Sequence, residues 1–80
     1  MSSIFFMTEG NNYFITGFNL NKEKTDLWVT KLDGGSIKIV DNDPEKAMQL
    51  HDLLCEIAHS TYPSVMYHKG RVRTNVFQEA

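Results

Sequence analysis

His51, Cys55 and His59 recur at every fourth residue, a spacing that lines side chains along one ridge of an α-helix. An imidazole and a thiolate one turn apart can chelate zinc. The same pair could also form a nucleophile, with a protonated histidine stabilising the thiolate. Geometry weighs against both. The three residues span about 12 Å of helix, so one ion would reach only two of them and would need further ligands, such as His68. A mid-helix cysteine has no free backbone amides beside it to hold an oxyanion. The plainer reading makes Cys55 a small buried hydrophobe, His59 a cation near the helix C-terminus and His51 a residue at the core's edge. We expect no metal, no cofactor and no catalytic residue from this ridge.

Other chemistry is fainter. Asp41-Asn42-Asp43-Pro44-Glu45, with Asp52 at the twelfth position from Asp41, imitates a calcium loop. Lys46 occupies the sixth place, where the loop demands glycine, and helix capping accounts for these acids. Gly34-Gly35 lies between two strands rather than before a helix, so it is no phosphate cradle. Asp52 and Glu56 stand one turn apart on a solvated helix face, the wrong setting for acid–base work. Tyr67, His68, Lys69, Arg71 and Arg73 form the one basic segment with an interleaved aromatic. It is a candidate for phosphate contacts with Tyr67 stacking on a base, or an edge hairpin whose charges block aggregation.

The elements that would carry these residues are readable. Ile4–Thr8, Tyr13–Leu20, Leu27–Leu32 and Ile37–Val40 are rich in β-branched and aromatic residues. They are separated by Glu9-Gly10-Asn11-Asn12, by a polar stretch from Asn21 to Thr25 and by Asp33-Gly34-Gly35. A helix starts at Pro44, with Asp43 as N-cap, and runs to about Ser60, since Tyr62-Pro63 disfavours its continuation. Beyond Pro63 we expect a strand at Ser64–His68, and Lys69-Gly70 could turn the chain into Arg71–Phe77. The predicted fold is α+β: a four- or five-stranded antiparallel β-meander with one helix on a face, strand order 5-1-2-3-4, in a single domain of residues 1–80.

The apolar pattern exceeds what that fold can hide. On the helix, Leu53, Ile57, Leu50, Leu54, Ala47 and Ala58 form the core stripe. His51, Tyr62, Cys55 and Met48 widen it past the ~100° arc of an ordinary surface helix. The first strand is apolar on both sides, Ile4 and Phe6 opposing Phe5 and Met7, and in the second Phe14 and Phe18 oppose Tyr13 and Ile15. Leu27 and Val29 oppose Trp28, Thr30 and Leu32; Ile37 and Ile39 oppose Lys38 and Val40. One helix covers one sheet face, and a large bare apolar patch is rare on a monomer.

Composition narrows the classes further. Eighty residues bury only about 60% of their unfolded surface, so a partner would help. A single cysteine allows no internal disulfide and suits a reducing compartment, the cytoplasm by default. The apolar run at Ile4–Met7 is too short for a signal peptide or membrane span. The net charge of −2 argues against a protein dominated by phosphate binding, although the charge is unevenly spread. Residues 41–63 carry five acids against Lys46, whereas residues 64–80 are net basic.

These features point to a small non-enzymatic interaction module, a regulator or inhibitor that binds another protein's surface and forms a homo-oligomer. Expected contact residues are Phe5, Met7, Tyr13, Trp28, Met48 and Cys55, because aromatics and methionine are favoured at interface centres. In size and lack of catalytic motifs the chain is similar to small stand-alone regulators and virus-encoded inhibitors, in general character only. The alternatives are nucleic-acid binding through residues 67–73, and a small-ligand pocket between helix and sheet with His51 and Tyr62 at its edge.

Overall fold

Glycine turns set the first four strands. In the computed structural model, which describes residues 3–68 and 70–74, β1 (Ile4–Thr8) folds back on β2 (Asn11–Leu20) through Glu9 and Gly10. Gly10 sits at φ +78°, a conformation that costs a Cβ-bearing residue dearly. Asn11 and Asn12, expected in the turn, pair instead with Thr8 and Met7. β3 (Leu27–Lys31) and β4 (Ser36–Val40) meet through Gly34, at φ +97°. The Gly34 amide donates to the Lys31 carbonyl at 2.9 Å, and the Gly35 amide to Asp33 Oδ1 at 2.9 Å.

The helix α1 (Pro44–Ile57) begins as its sequence signals, the Asp43 carboxylate accepting from the Lys46 amide at 3.1 Å. It ends about three residues sooner than expected. The Ser60 amide turns back to the Ile57 carbonyl at 2.9 Å, and the chain reaches Pro63 as a loop. β5 (Ser64–His68) and β6 (Arg71–Thr74) form a final hairpin turned by Gly70 at φ +75°. The expected continuation of that strand to Phe77 lies outside the described residues.

The result is α+β, with one helix against a six-stranded mixed sheet of order β4-β3-β2-β1-β5-β6. The expected order 5-1-2-3-4 is contained in it, with β1 central. Two features correct the plain meander: β6 extends the sheet, and β5 runs parallel to β1, pairing Phe5 with Ser64 and Met7 with Met66. The cause is α1. It leaves the end of β4 and returns the chain to the same end of the sheet, so β5 starts where β1 starts.

Packing follows the alternation of the strands. Ile4, Phe6, Ile15, Leu27, Val29, Val40 and Val65 turn toward α1 and meet Ala47, Leu50, Leu54 and Ile57, all buried. Each of these side chains larger than alanine contributes about 1.5–3 kcal/mol relative to exposure. Leu53 and Ala58, expected in the core stripe, are only partly buried. Two bulges shift the predicted faces. The slip between Ile15 and Gly17 brings Phe18 opposite Val29 and against the core rather than beside Phe14. The slip between Leu27 and Trp28 sets Val40 opposite Leu27 and buries it. An extra residue in one strand inverts every side chain beyond it.

A polar clasp joins the β2–β3 loop to the start of α1. The Asn21 side-chain oxygen accepts from the Thr25 and Asp26 amides, both at 2.8 Å. Asp26 then accepts from the Asn42 amide at 2.7 Å and meets Lys38 Nζ at 3.4 Å. Asn42 is held at φ +52°, a left-handed conformation that asparagine tolerates better than most residues. The Asn42 amide, helped by Thr25 and Lys38, keeps the Asp26 carboxyl below its ordinary range. Among the described residues, no helix is long and apolar enough to cross a membrane.

Candidate functional site

α1 packs on one side of the sheet, closest to β2 and β3, and leaves the other side bare. Strand alternation places Phe5 and Met7 of β1 on that bare side, with Phe14 of β2, Trp28 of β3 and Met66 of β5. The Phe5 and Phe14 rings are 5.0 Å apart and tilted by 48°. Phe14 remains 48% exposed and Met66 44%, so the helix-free face offers an apolar strip to solvent.

The loop after α1 walls this strip. The Phe5 amide donates to the Pro63 carbonyl at 3.0 Å, which ties the loop to the sheet. Phe5, Met7 and Phe14 then floor a groove of about 950 Å³ whose side is formed by residues 59–64. Tyr62 stands in that wall at φ +56° with 88% of its surface exposed. A tyrosine in left-handed backbone immediately before a proline is strained on two counts. Such strain tends to collect at functional sites.

The β5–β6 hairpin carries the charge of this face. Met66, His68, Arg71 and Arg73 surround a shallow hollow of about 180 Å³. His68 Nε2 lies 3.4 Å from a Glu9 carboxylate oxygen. Neither arginine has an acidic partner among the described residues. At the opposite border Lys38 Nζ sits 5.2 Å above the Trp28 ring and is held by Asp26 and Asp41. Asp41 and Asp26 push the Lys38 ammonium above its ordinary value.

The expected contact residues therefore divide among three surfaces. Phe5, Met7 and Trp28 share the bare face, although Trp28 lies toward the β4 edge and outside the groove. Tyr13 is on the helix side, its ring stacked 6.0 Å from Phe6. Met48 is partly buried, and Cys55, expected to be a buried hydrophobe, is exposed on the solvent side of the helix. Phe14, Met66 and Tyr62 join the bare face without having been singled out for contact, and β alternation from Phe5 was the signal that could have found the first two.

The basic segment is likewise split. His68, Arg71 and Arg73 face the bare side, whereas Tyr67 turns to the helix side, paired with Val72. Tyr67 thus cannot stack a base beside those arginines. Lys69 lies outside the described residues.

On the helix side, α1 covers only part of the sheet. A second concavity of about 570 Å³ remains there, lined by Thr8, Tyr13, Lys31, Ile37, Ile39 and Tyr67 among others. Burial raises both the Tyr13 and the Tyr67 phenol pKa. The two residues expected at a helix–sheet pocket are elsewhere. His51 meets Phe18 edge to face at 5.4 Å, and Tyr62 is on the opposite side of the sheet.

Cys55 Sγ lies 3.9 Å from His51 Nδ1, while His59 points to solvent a turn later. No group of three or more His, Cys, Asp or Glu side chains among the described residues could hold a metal ion. The apolar groove on β1 and β2 and the separate cationic hollow on β5 and β6 thus lie on the same helix-free face. Comparison with protein-family models, with curated proteins and with solved structures yields no match.

Proposed function

We propose that this protein is a non-enzymatic binding module that acts by covering a site on another protein with its helix-free sheet face. One observation carries the reading: the groove floored by Phe5, Met7 and Phe14. Among polar neighbours such as Asn12, Asn19, Thr30 and His68, this face carries Phe, Trp, Met and Arg, types enriched at interface centres, and the lysine at its margin is already paired. On the opposite layer α1 exposes the acidic Glu45, Asp52 and Glu56. A regulator or inhibitor needs no more than this, since occlusion requires only affinity and shape.

Site-specific photocrosslinking in an extract of the native host tests the reading. A photoreactive amino acid replaces Phe14 or Met66 on the bare face, or Asp52 on the solvent side of α1 as a control. One dominant protein adduct from the first two positions, absent from the third, is the expected outcome. Equal labelling from all three would remove the assignment. An adduct with a second copy alone would turn the face into a self-assembly surface.

A further inference from the structure

From the charge on β6, where Arg73 lies two strands from the groove's Met7 on the same face, we infer the chemistry of what fills the groove: a peptide segment with bulky apolar anchors flanked on one side by aspartate or glutamate. The inference rests on the binding reading above and adds the partner's character. The groove takes side chains rather than a flat ring system. Its floor is two phenylalanines tilted by 48° with methionine beside them, an uneven surface that flexible thioethers can adapt. Tyr62, strained and 88% exposed, stands where it can close over an anchor from the loop side.

On the far side of Met66 the face becomes cationic. Arg71 and Arg73 project from β6 without acidic partners among the described residues, whereas the carboxylates bordering the face, Glu9 and Asp26, are engaged by His68 and Lys38. The unspent charge is positive and confined to one margin. Its complement is a carboxylate-bearing segment, which arginine holds through paired hydrogen bonds. A second copy of this chain fits less well, because among the described residues the face has no unpaired carboxylate to offer the arginines of its twin. A nucleic acid also fits less well. The face lacks parallel stacking platforms, Tyr67 is on the other side, and the chain carries a net charge of −2.

The test uses the full-length chain, isotopically labelled, and three fluorescent probes. These are a twelve-residue peptide alternating Asp or Glu with Leu and Phe, the same peptide with lysine at every acidic position, and a dodecamer of deoxythymidine. Fluorescence anisotropy is expected to give at least about tenfold tighter binding of the acidic peptide than of either other probe. Amide shifts are expected at Phe5, Met7, Phe14 and Met66. The double variant R71E/R73E should invert the peptide preference, and F14S should abolish binding of both peptides. Both substitutions are at exposed positions, and circular dichroism verifies the fold. Equal affinity for the two peptides, tighter binding of the oligonucleotide, no saturable binding of the acidic peptide, or shifts confined to the Tyr13–Tyr67 side would each overturn the inference. If crosslinks from position 14 to a host protein persist while R71E/R73E leaves them unchanged, the acidic partner fails and the binding module stands. If position 14 gives no protein adduct, both fail.

Discussion

The rings of Phe5 and Phe14 meet across β1 and β2 on the side of the sheet that α1 leaves bare. In a protein this small, two phenylalanines in contact would ordinarily be core. Here the core is complete without them: Ile4 and Phe6 of the same strand are buried at 5% and 0% exposure. The pair lies outside that core, on the face left open to solvent.

Phe14→Ser should separate binding from stability. Its ring is half exposed, and an aromatic pair contributes about 0.5–1.5 kcal/mol beyond area burial. With the lost burial of the ring's covered half added, thermal unfolding should show a loss of about 1–3 kcal/mol, while the crosslinked adduct from position 66 disappears. A variant that keeps the adduct would show that the pair is not the contact.

Leu50→Ala should do the reverse. Leu50 is fully buried between helix and sheet, and such truncations cost about 2–5 kcal/mol. Against the marginal stability of a small domain, urea denaturation should find the midpoint lowered by the equivalent of about 2–5 kcal/mol. A shift in midpoint equivalent to under 1 kcal/mol would mean that the helix packs more loosely than its burial implies.

Tyr62→Gly should stabilise the fold while weakening partner capture. Left-handed backbone costs an L-residue about 1–2 kcal/mol, and glycine occupies it freely, less about 0.5–1 kcal/mol for its greater unfolded-state entropy. A net gain approaching 1 kcal/mol in denaturant unfolding, with a weaker adduct from position 14, is expected. Lower stability would place the tyrosine among the residues that hold the fold.

Asp26 predicts how stability responds to acid. Its carboxyl lies below the ordinary 3.8 because the folded state presents it with the Asn42 amide, Thr25 and Lys38. A depressed folded-state value means that the stabilisation is fully present above 3.8 and is lost as pH falls through the lower folded value. Asp26→Asn should therefore be less stable than the parent at neutral pH, and the difference should shrink in acid. Urea midpoints measured from pH 7 to pH 2 check it, and a constant difference would show that the clasp does not depend on charge.

Much of the architecture was legible in the sequence because its signals are local. Ile4–Thr8 and Ser64–His68 match their strands residue for residue, since β-branched and aromatic runs end there at glycine or proline. Asp43 and Pro44 likewise announce the helix. What was not legible is whatever depends on two distant segments at once. The slip at Gly17 that sends Phe18 inward is a property of the β2–β3 pairing. No nearby residue forecasts the hold of Asp26 on Asn42 across sixteen positions. The direction of β5 depends on where α1 delivers the chain. For the candidate site, Phe5, Met7 and Trp28 could be placed by alternation, but the grouping with Tyr13, Met48 and Cys55 mixed faces that only the sheet's layout separates. The split of Tyr67 from Arg71 and Arg73 was countable in principle, had the hairpin turn at Gly70 been fixed.

The parallel union of β1 with β5 also shapes how this molecule is born. β1 through β4 can assemble by successive hairpins as the ribosome releases them, but the flank of β1 that Ser64 to Met66 will occupy stays unpaired until the chain has passed the helix. During that interval the greasiest strand of the protein is an open edge, inviting mispairing with any other nascent chain. The last segment to pair is thus also the guard of the first strand made.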